Sequence, residues 1–216
     1  MVDISRYLPL SQRSGDDESG VTADWRPNIA AAITRIADLL DGLTPEQWEG
    51  ASLCTGWSTR DVAGHLAWRL GSSTRELLRD GLRAAWRCRF SPSRIIDVLS
   101  REAAAADTGD LVRRLRETAR AHVEGRGRKS VHELTEVVIH SYDLAVPLGL
   151  DLPFSPVETG AVAIARAVGG PLSTRAIMSG RSFAASDAGW SVGRGPASEG
   201  IARSIILFLF GRTTDI

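Results

Sequence analysis

The sequence predicts a mainly α protein: an antiparallel four-helix bundle over residues 21–150, followed by a small α+β region over 151–216. Apolar residues return every three or four positions through most of the first 150 residues, the pattern of helices that bury one face. The connections between these segments are short, so consecutive helices pack side by side and antiparallel. After Leu150 the texture changes, with prolines, a Gly169-Gly170-Pro171 break and short alternating stretches in place of the long helical pattern.

The first helix is expected from about Asp24 to Leu40, where Ile29, Ile33, Ile36 and Leu40 make one apolar face and Asp41-Gly42 ends it. A connection carrying Leu43, Trp48 and Trp57 leads to Ser58, which with Asp61 three residues later reads as a helix start. That second helix is expected to run to about Asp80, with Gly81 as its stop. Ser91-Pro92-Ser93 opens a third helical region, SRIIDVLSREAAAA, and the pattern resumes after Thr108-Gly109 in LVRRLRETARAHVE, as two helices or one interrupted helix. Gly125 and Gly127 mark a loop before VHELTEVVIHSYDL, a helix from Val131 that ends near Pro147 and Gly149. Beyond the linker from Asp151 to Pro156 come a helix from Val157 to Val168 and two strands joined by Ser186-Asp187-Ala188-Gly189. A final helix lies in IARSIILFLFGR.

A chain of 216 residues buries a proper core without covalent staples. A formal net charge of zero gives no bulk reason for a nucleic-acid or membrane partner, and no apolar run reaches the length of a membrane span. The basic run from Arg113 to Lys129 is interrupted by Glu117 and Glu124 and lacks interleaved aromatics, so it reads, with His122, as a solvated helix face. Residues 1–20 have no basic start followed by an apolar stretch, read as a flexible leader, and place the protein in the cytoplasm. Cys54 and Cys88 make no disulfide framework and no Cys-x-x-Cys motif. Both are expected as reduced thiols, Cys54 as a buried structural one rather than a nucleophile.

The candidate chemistry sits in VHELTEVVIHSYDL. Glu136 and His140 are one helical turn apart and project from one face, the spacing of a metal-binding pair, and Glu133 and Asp143 share that stripe. A charged helix side facing water would look the same in one dimension. His65, two turns into the Ser58 helix, has Val62, Leu66 and Trp68 at helical spacing, which turns it toward the interior. One helix giving His and another giving Glu-x-x-x-His would supply three ligands and leave a fourth position open, the arrangement of catalytic zinc. His132 lies eight residues before His140, hence about 80° around the helix, and is expected outside that set. Asp143 and Asp61 are the expected acceptors for the second ring nitrogens of His140 and His65.

GWSTRDVAGHLAW, ELTEVVIHSYDLAVPLGL and SDAGWSVGRGP with its closing FGR resemble the mycothiol-dependent maleylpyruvate isomerase family, within the wider DinB-like metal-binding bundles, from about Asp24 to Arg212. The resemblance implies a divalent metal, zinc first, held by His65, Glu136 and His140, and mycothiol as cosubstrate. It also implies a functional arginine from the C-terminal region, matched here to Arg212 as the catalytic residue, with Arg181 and Arg203 as alternatives. The C-terminal region reads as compact beside the family's second domain. The expected partners are a small electrophilic substrate and a low-molecular-weight thiol, with no nucleic acid, no membrane and the oligomeric state left open. Three functions fit: a thiol-dependent cis-trans isomerase, a mycothiol S-transferase, and a non-enzymatic metal- or ligand-binding module.

Overall fold

A computed structural model describes residues 24–214; the expected leader lies outside them. The first helix, α1 (Arg26–Asp41), starts with Pro27 in its first turn and buries Ile29, Ile33, Ile36 and Leu40 completely. A five-residue helix, α2 (Pro45–Glu49), follows and tucks Trp48 into the core.

The Ser58 signal is realised in α3 (Thr59–Gly71): the Ser58 side chain accepts from the Asp61 amide, and the Asp61 carboxylate accepts from the Ser58 amide at 2.9 Å. This helix stops nine residues before the expected end. Ser72 is extended, and Ser73 forms a second capping box with Glu76 that starts α4 (Thr74–Ala85). Two reciprocal capping bonds favour a new helix there over continuation of the old one.

The third region is two helices, α5 (Pro92–Ala104) and α6 (Thr108–Val123), with Asp107 capping the second by accepting from the Gly109 amide at 2.9 Å. The helix that carries Glu136 and His140 is α7 (Val131–Ala145), capped by Ser130. Its direction relative to α3 follows from two ties. Leu53, just before α3, donates to the Asp143 carbonyl at the end of α7, and Arg128, just before α7, donates to the carbonyls of Arg69 and Ser72 at the end of α3. The two helices therefore run antiparallel. Helices α1, α3, α6 and α7 share one core, including Ile33, Leu66, Leu115 and Leu134, and α5 lies along the outside of α3.

One expectation along this stretch is corrected. His122 is not on a solvated face: it is buried, its Nδ1 lies 2.9 Å from the Thr118 carbonyl, and Gly127 rests so close that a side chain there would strike the ring at 2.8 Å. The arginines near it do face outward, Arg113 paired with Asp110 and Glu117, Arg116 with Asp38 and Asp41.

The C-terminal region holds more structure than two strands and two helices. After α8 (Pro156–Gly169) comes α9 (Leu172–Gly180), then β1 (Ser182–Ala185), β2 (Ser191–Gly193), β3 (Ala197–Gly200) and α10 (Ala202–Leu209). The sheet has the order β2-β1-β3, with β2 antiparallel and β3 parallel to β1. Gly193 and Gly195, both at positive φ, let the chain pass close over the end of α9, where a side chain on Gly195 would lie 2.6 Å from the Gly180 carbonyl oxygen. A second core of Phe183, Met178, Ile205 and Leu209 holds this region together, and α8 and α10 pack it onto α7.

Candidate metal centre

The two central helices bring the three sequence-predicted ligands to one point. His65 Nε2 lies 3.2 Å from Glu136 Oε2, and His140 Nε2 lies 3.6 Å from the same oxygen. One ligand atom from each of His65, Glu136 and His140 falls within 4.8 Å of the other two. The imidazole rings meet edge to face with centroids 4.7 Å apart, and Trp57 covers both, 5.3 Å from His65 and 6.5 Å from His140. His132 is exposed on another side of α7 and takes no part.

Each of the two imidazoles is held by its other nitrogen. His140 Nδ1 donates to Asp143 Oδ2 at 2.9 Å, as the i, i+3 spacing on α7 anticipates. His65 Nδ1 shares a 3.0 Å hydrogen bond with the buried Ser100 hydroxyl on α5. Asp61, expected in that role, instead caps α3 and pairs with Arg101. The capping geometry turns its carboxylate back toward the helix start, where it accepts from the Ser58 amide and hydroxyl. Glu133 is likewise anchored away from the site, by Arg128 at 2.8 Å and Arg69 at 3.8 Å.

Cys54 is part of this cluster rather than a buried structural thiol. It is only half-buried, its Sγ donates to Asp143 Oδ2 at 3.0 Å, and it lies 3.6 Å from His140 Nδ1. Arg212, just after α10, grips the other side of Asp143, Nε to Oδ1 at 2.7 Å and Nη2 to Oδ2 at 2.9 Å, with Nη2 3.4 Å from Cys54 Sγ. Arg181 and Arg203 are not in these contacts; Arg203 pairs with Asp151. Sequence carried a faint signal for Cys54, its place four residues before the α3 cap, and none for Ser100, one of two serines in α5.

Electrostatics follow the contacts. Burial would raise the Glu136 carboxyl, but the two histidines outweigh it and hold it well below the usual carboxylate range. Burial lowers His65, only partly opposed by Glu136. For His140 the desolvation cost is overcome by its hydrogen bonds with Asp143, Cys54 and Glu136, so its pKa rises. Against its own burial, the hydrogen bonds of His140 and Arg212 lower Asp143 to about 2.

Cys54, His140 and Asp143 also lie close enough together to hold an ion. Both Asp143 oxygens, however, are already engaged by Arg212 and His140, whereas the Nε2 atoms of His65 and His140 converge with Glu136, each ring fixed from behind. That donor set, two imidazole nitrogens and one carboxylate with each ring held from behind, fits a divalent metal.

Comparison with solved structures places the whole fold. The crystal structure of the mycothiol-dependent maleylpyruvate isomerase matches with a TM-score of 0.53 and 14% identity over 98% of this chain and 92% of that one. A histidine-to-alanine mutant of that isomerase matches equally well over 97% and 92%. A search of the curated proteins finds no match. The family model for the mycothiol maleylpyruvate isomerase N-terminal domain matches residues 29–145, which run from within α1 to the end of α7 and include His65, Glu136 and His140, and the chain belongs to that family.

Proposed function

We propose that the protein is a metal- and thiol-dependent enzyme that isomerises an activated cis double bond, with His65, Glu136 and His140 holding a divalent metal, zinc first, and mycothiol as the thiol. The observation that carries this reading is the convergence of those three side chains within 4.8 Å, backed by Arg212 from the C-terminal region. When bound, such a metal lowers the pKa of an approaching thiol so that it reacts as thiolate.

The chain's own groups prepare that event. Asp143 accepts the hydrogen bond of His140 Nδ1 and Ser100 holds His65 Nδ1, so both Nε2 atoms point inward. Trp57 walls the centre and limits water. Arg212 keeps Asp143 ionised and presents its Nη1 side to a substrate carboxylate. In the reaction the thiol sulfur bonds to one alkene carbon, the remaining single bond rotates, and the carbon–sulfur bond breaks to return thiol and the trans product.

One observation favours a second reading, a thiol S-transferase. Two of the three guanidinium nitrogens of Arg212 are spent on Asp143, so a substrate carboxylate would meet a single nitrogen rather than a bidentate fork. Incubation of the zinc-loaded protein with mycothiol and maleylpyruvate, followed by mass spectrometry, tests both. Many turnovers per thiol support the isomerase; a thioether accumulating one to one with thiol loss supports the transferase. No turnover of any electrophile would leave a non-enzymatic metal-binding bundle.

A further inference from the structure

The face of α4 carries an exposed apolar stripe that the site does not use. Leu78 is 63% exposed, Leu82 68% and Trp86 82%, at four-residue intervals that place each about 40° further round the same side. The chain then turns through Arg89 and Phe90, both at positive φ, and this brings the Phe90 ring, 67% exposed, edge to face with Trp86 at 6.0 Å. Residues without a glycine's freedom seldom take that conformation. On its inner side this segment buries only Ala84 and Cys88, against Leu99 of α5. Among the described residues nothing covers the outer stripe.

Beside the stripe runs a band of arginines. From Thr74 to Arg94 there are six, Arg75, Arg79, Arg83, Arg87, Arg89 and Arg94, against two acids, Glu76 and Asp80, in a chain whose formal net charge is zero. Glu76 is occupied in capping Ser73 and Asp80 in binding Arg79 and Trp68; Glu102 of α5 serves both Arg83 and Arg87. A cationic excess remains. On a soluble amphipathic helix the charged band and the apolar band lie opposite, because the apolar one faces the core. Here both face outward and adjoin: by helical geometry Arg75 falls between Leu82 and Trp86, and Arg79 just beyond Trp86.

We propose that this face of α4 docks on an anionic phospholipid surface. Leu78, Leu82, Trp86 and Phe90 would enter the boundary between headgroups and acyl chains, and the arginines, with stems long enough to lie over apolar surface, would meet the phosphates. Charge complementarity selects this occupant. A second copy packed on the same face about a two-fold axis would set these arginines against one another, and a neutral apolar partner would leave them unanswered. The docking is peripheral, since no helix among the described residues is long and apolar enough to cross a membrane.

The test is cosedimentation of the full-length protein at low salt with vesicles of phosphatidylcholine alone and of an equimolar phosphatidylcholine and phosphatidylglycerol mixture. Binding is expected to the mixed vesicles only, with a blue shift of tryptophan emission from Trp86. Added salt should weaken it. Leu82→Asp and Arg83→Glu, both at exposed positions, should each lower partitioning about fivefold or more. Circular dichroism and bound metal should stay at wild-type levels, and Trp86→Ser serves if either variant fails to fold. Equal binding to both vesicles, no binding, or binding indifferent to the variants would overturn the proposal. So would a dimer in size-exclusion chromatography that Leu82→Asp dissociates, because a second copy would then own the face.

Discussion

Arg212 holds Asp143 across 69 residues of chain, and the Asp143 oxygen that accepts its Nη2 also accepts from His140 Nδ1. The segment after the last helix is thereby tied to α7. A C-terminal change can reach His140 through two hydrogen bonds, and four predictions follow from this and related contacts.

His65→Ala, Glu136→Ala and His140→Ala should each strip a bound divalent metal while helix content stays near wild type, since bundle stability comes mainly from apolar packing. His132→Ala, at an exposed position, should leave metal content unchanged. Elemental analysis of the purified variants reads this directly. Loss of metal in His132→Ala with retention in Glu136→Ala would reassign the stripe.

Ser100→Ala removes the hydroxyl that fixes His65 Nδ1 and should weaken metal binding about 10- to 100-fold, as expected when a group orienting a ligand histidine is lost. Asp61→Asn should instead lower thermal stability by about 1 kcal/mol through the α3 cap, with little change in metal affinity. Competition titration with a chelating indicator separates the two. Equal effects on metal affinity would restore Asp61 to the site.

Asp143 has its pKa depressed from 3.8 to about 2 in the folded protein. A group depressed on folding contributes stability above its unfolded pKa and loses it as pH falls through the folded one, so about 2 kcal/mol should disappear between pH 3.8 and about 2. Asp143→Asn should flatten that part of the acid-unfolding curve of the metal-free protein. Arg212→Ala, which leaves a fully buried carboxylate with less compensation, should destabilise at neutral pH by about 2 kcal/mol. Denaturant titration across pH, with circular dichroism as the signal, measures both.

Gly64 sits where α3 crosses α5, and a side chain there would lie 2.5 Å from the Ala104 amide nitrogen and 2.7 Å from its Cα. Because the obstacle is backbone, Gly64→Ala should cost about 3 kcal/mol and loosen metal binding by moving His65 away from Ser100. Gly81→Ala has open space within α4 and should stabilise by about 0.5–1 kcal/mol. Thermal unfolding of the two variants should shift in opposite directions.

What the sequence determined by itself was local. The Ile29 to Leu40 face, the Ser58-Asp61 cap and the one-turn spacing of Glu136 and His140 are properties of single helices, where 3.6 residues per turn fixes which side chains share a face. The antiparallel bundle followed from those faces and the short links between them. Even locally, competition hid some features: the Ser73-Glu76 capping box that ends α3 early lay inside an unbroken helical pattern, and the parallel β3 depends on pairing rather than on its own polar sequence. Only the tertiary structure decided the rest. His65 and Glu136 are 71 residues apart, and their 3.2 Å contact exists because α3 and α7 pack antiparallel on one core. The same packing delivers Ser100, Cys54 and Arg212 from three further segments, and it leaves Leu82 and Trp86 outside because α5 covers only the opposite side of α4. Spacing along a chain sets directions on one helix, but distances between helices come from how their buried faces fit, and no single segment carries that information.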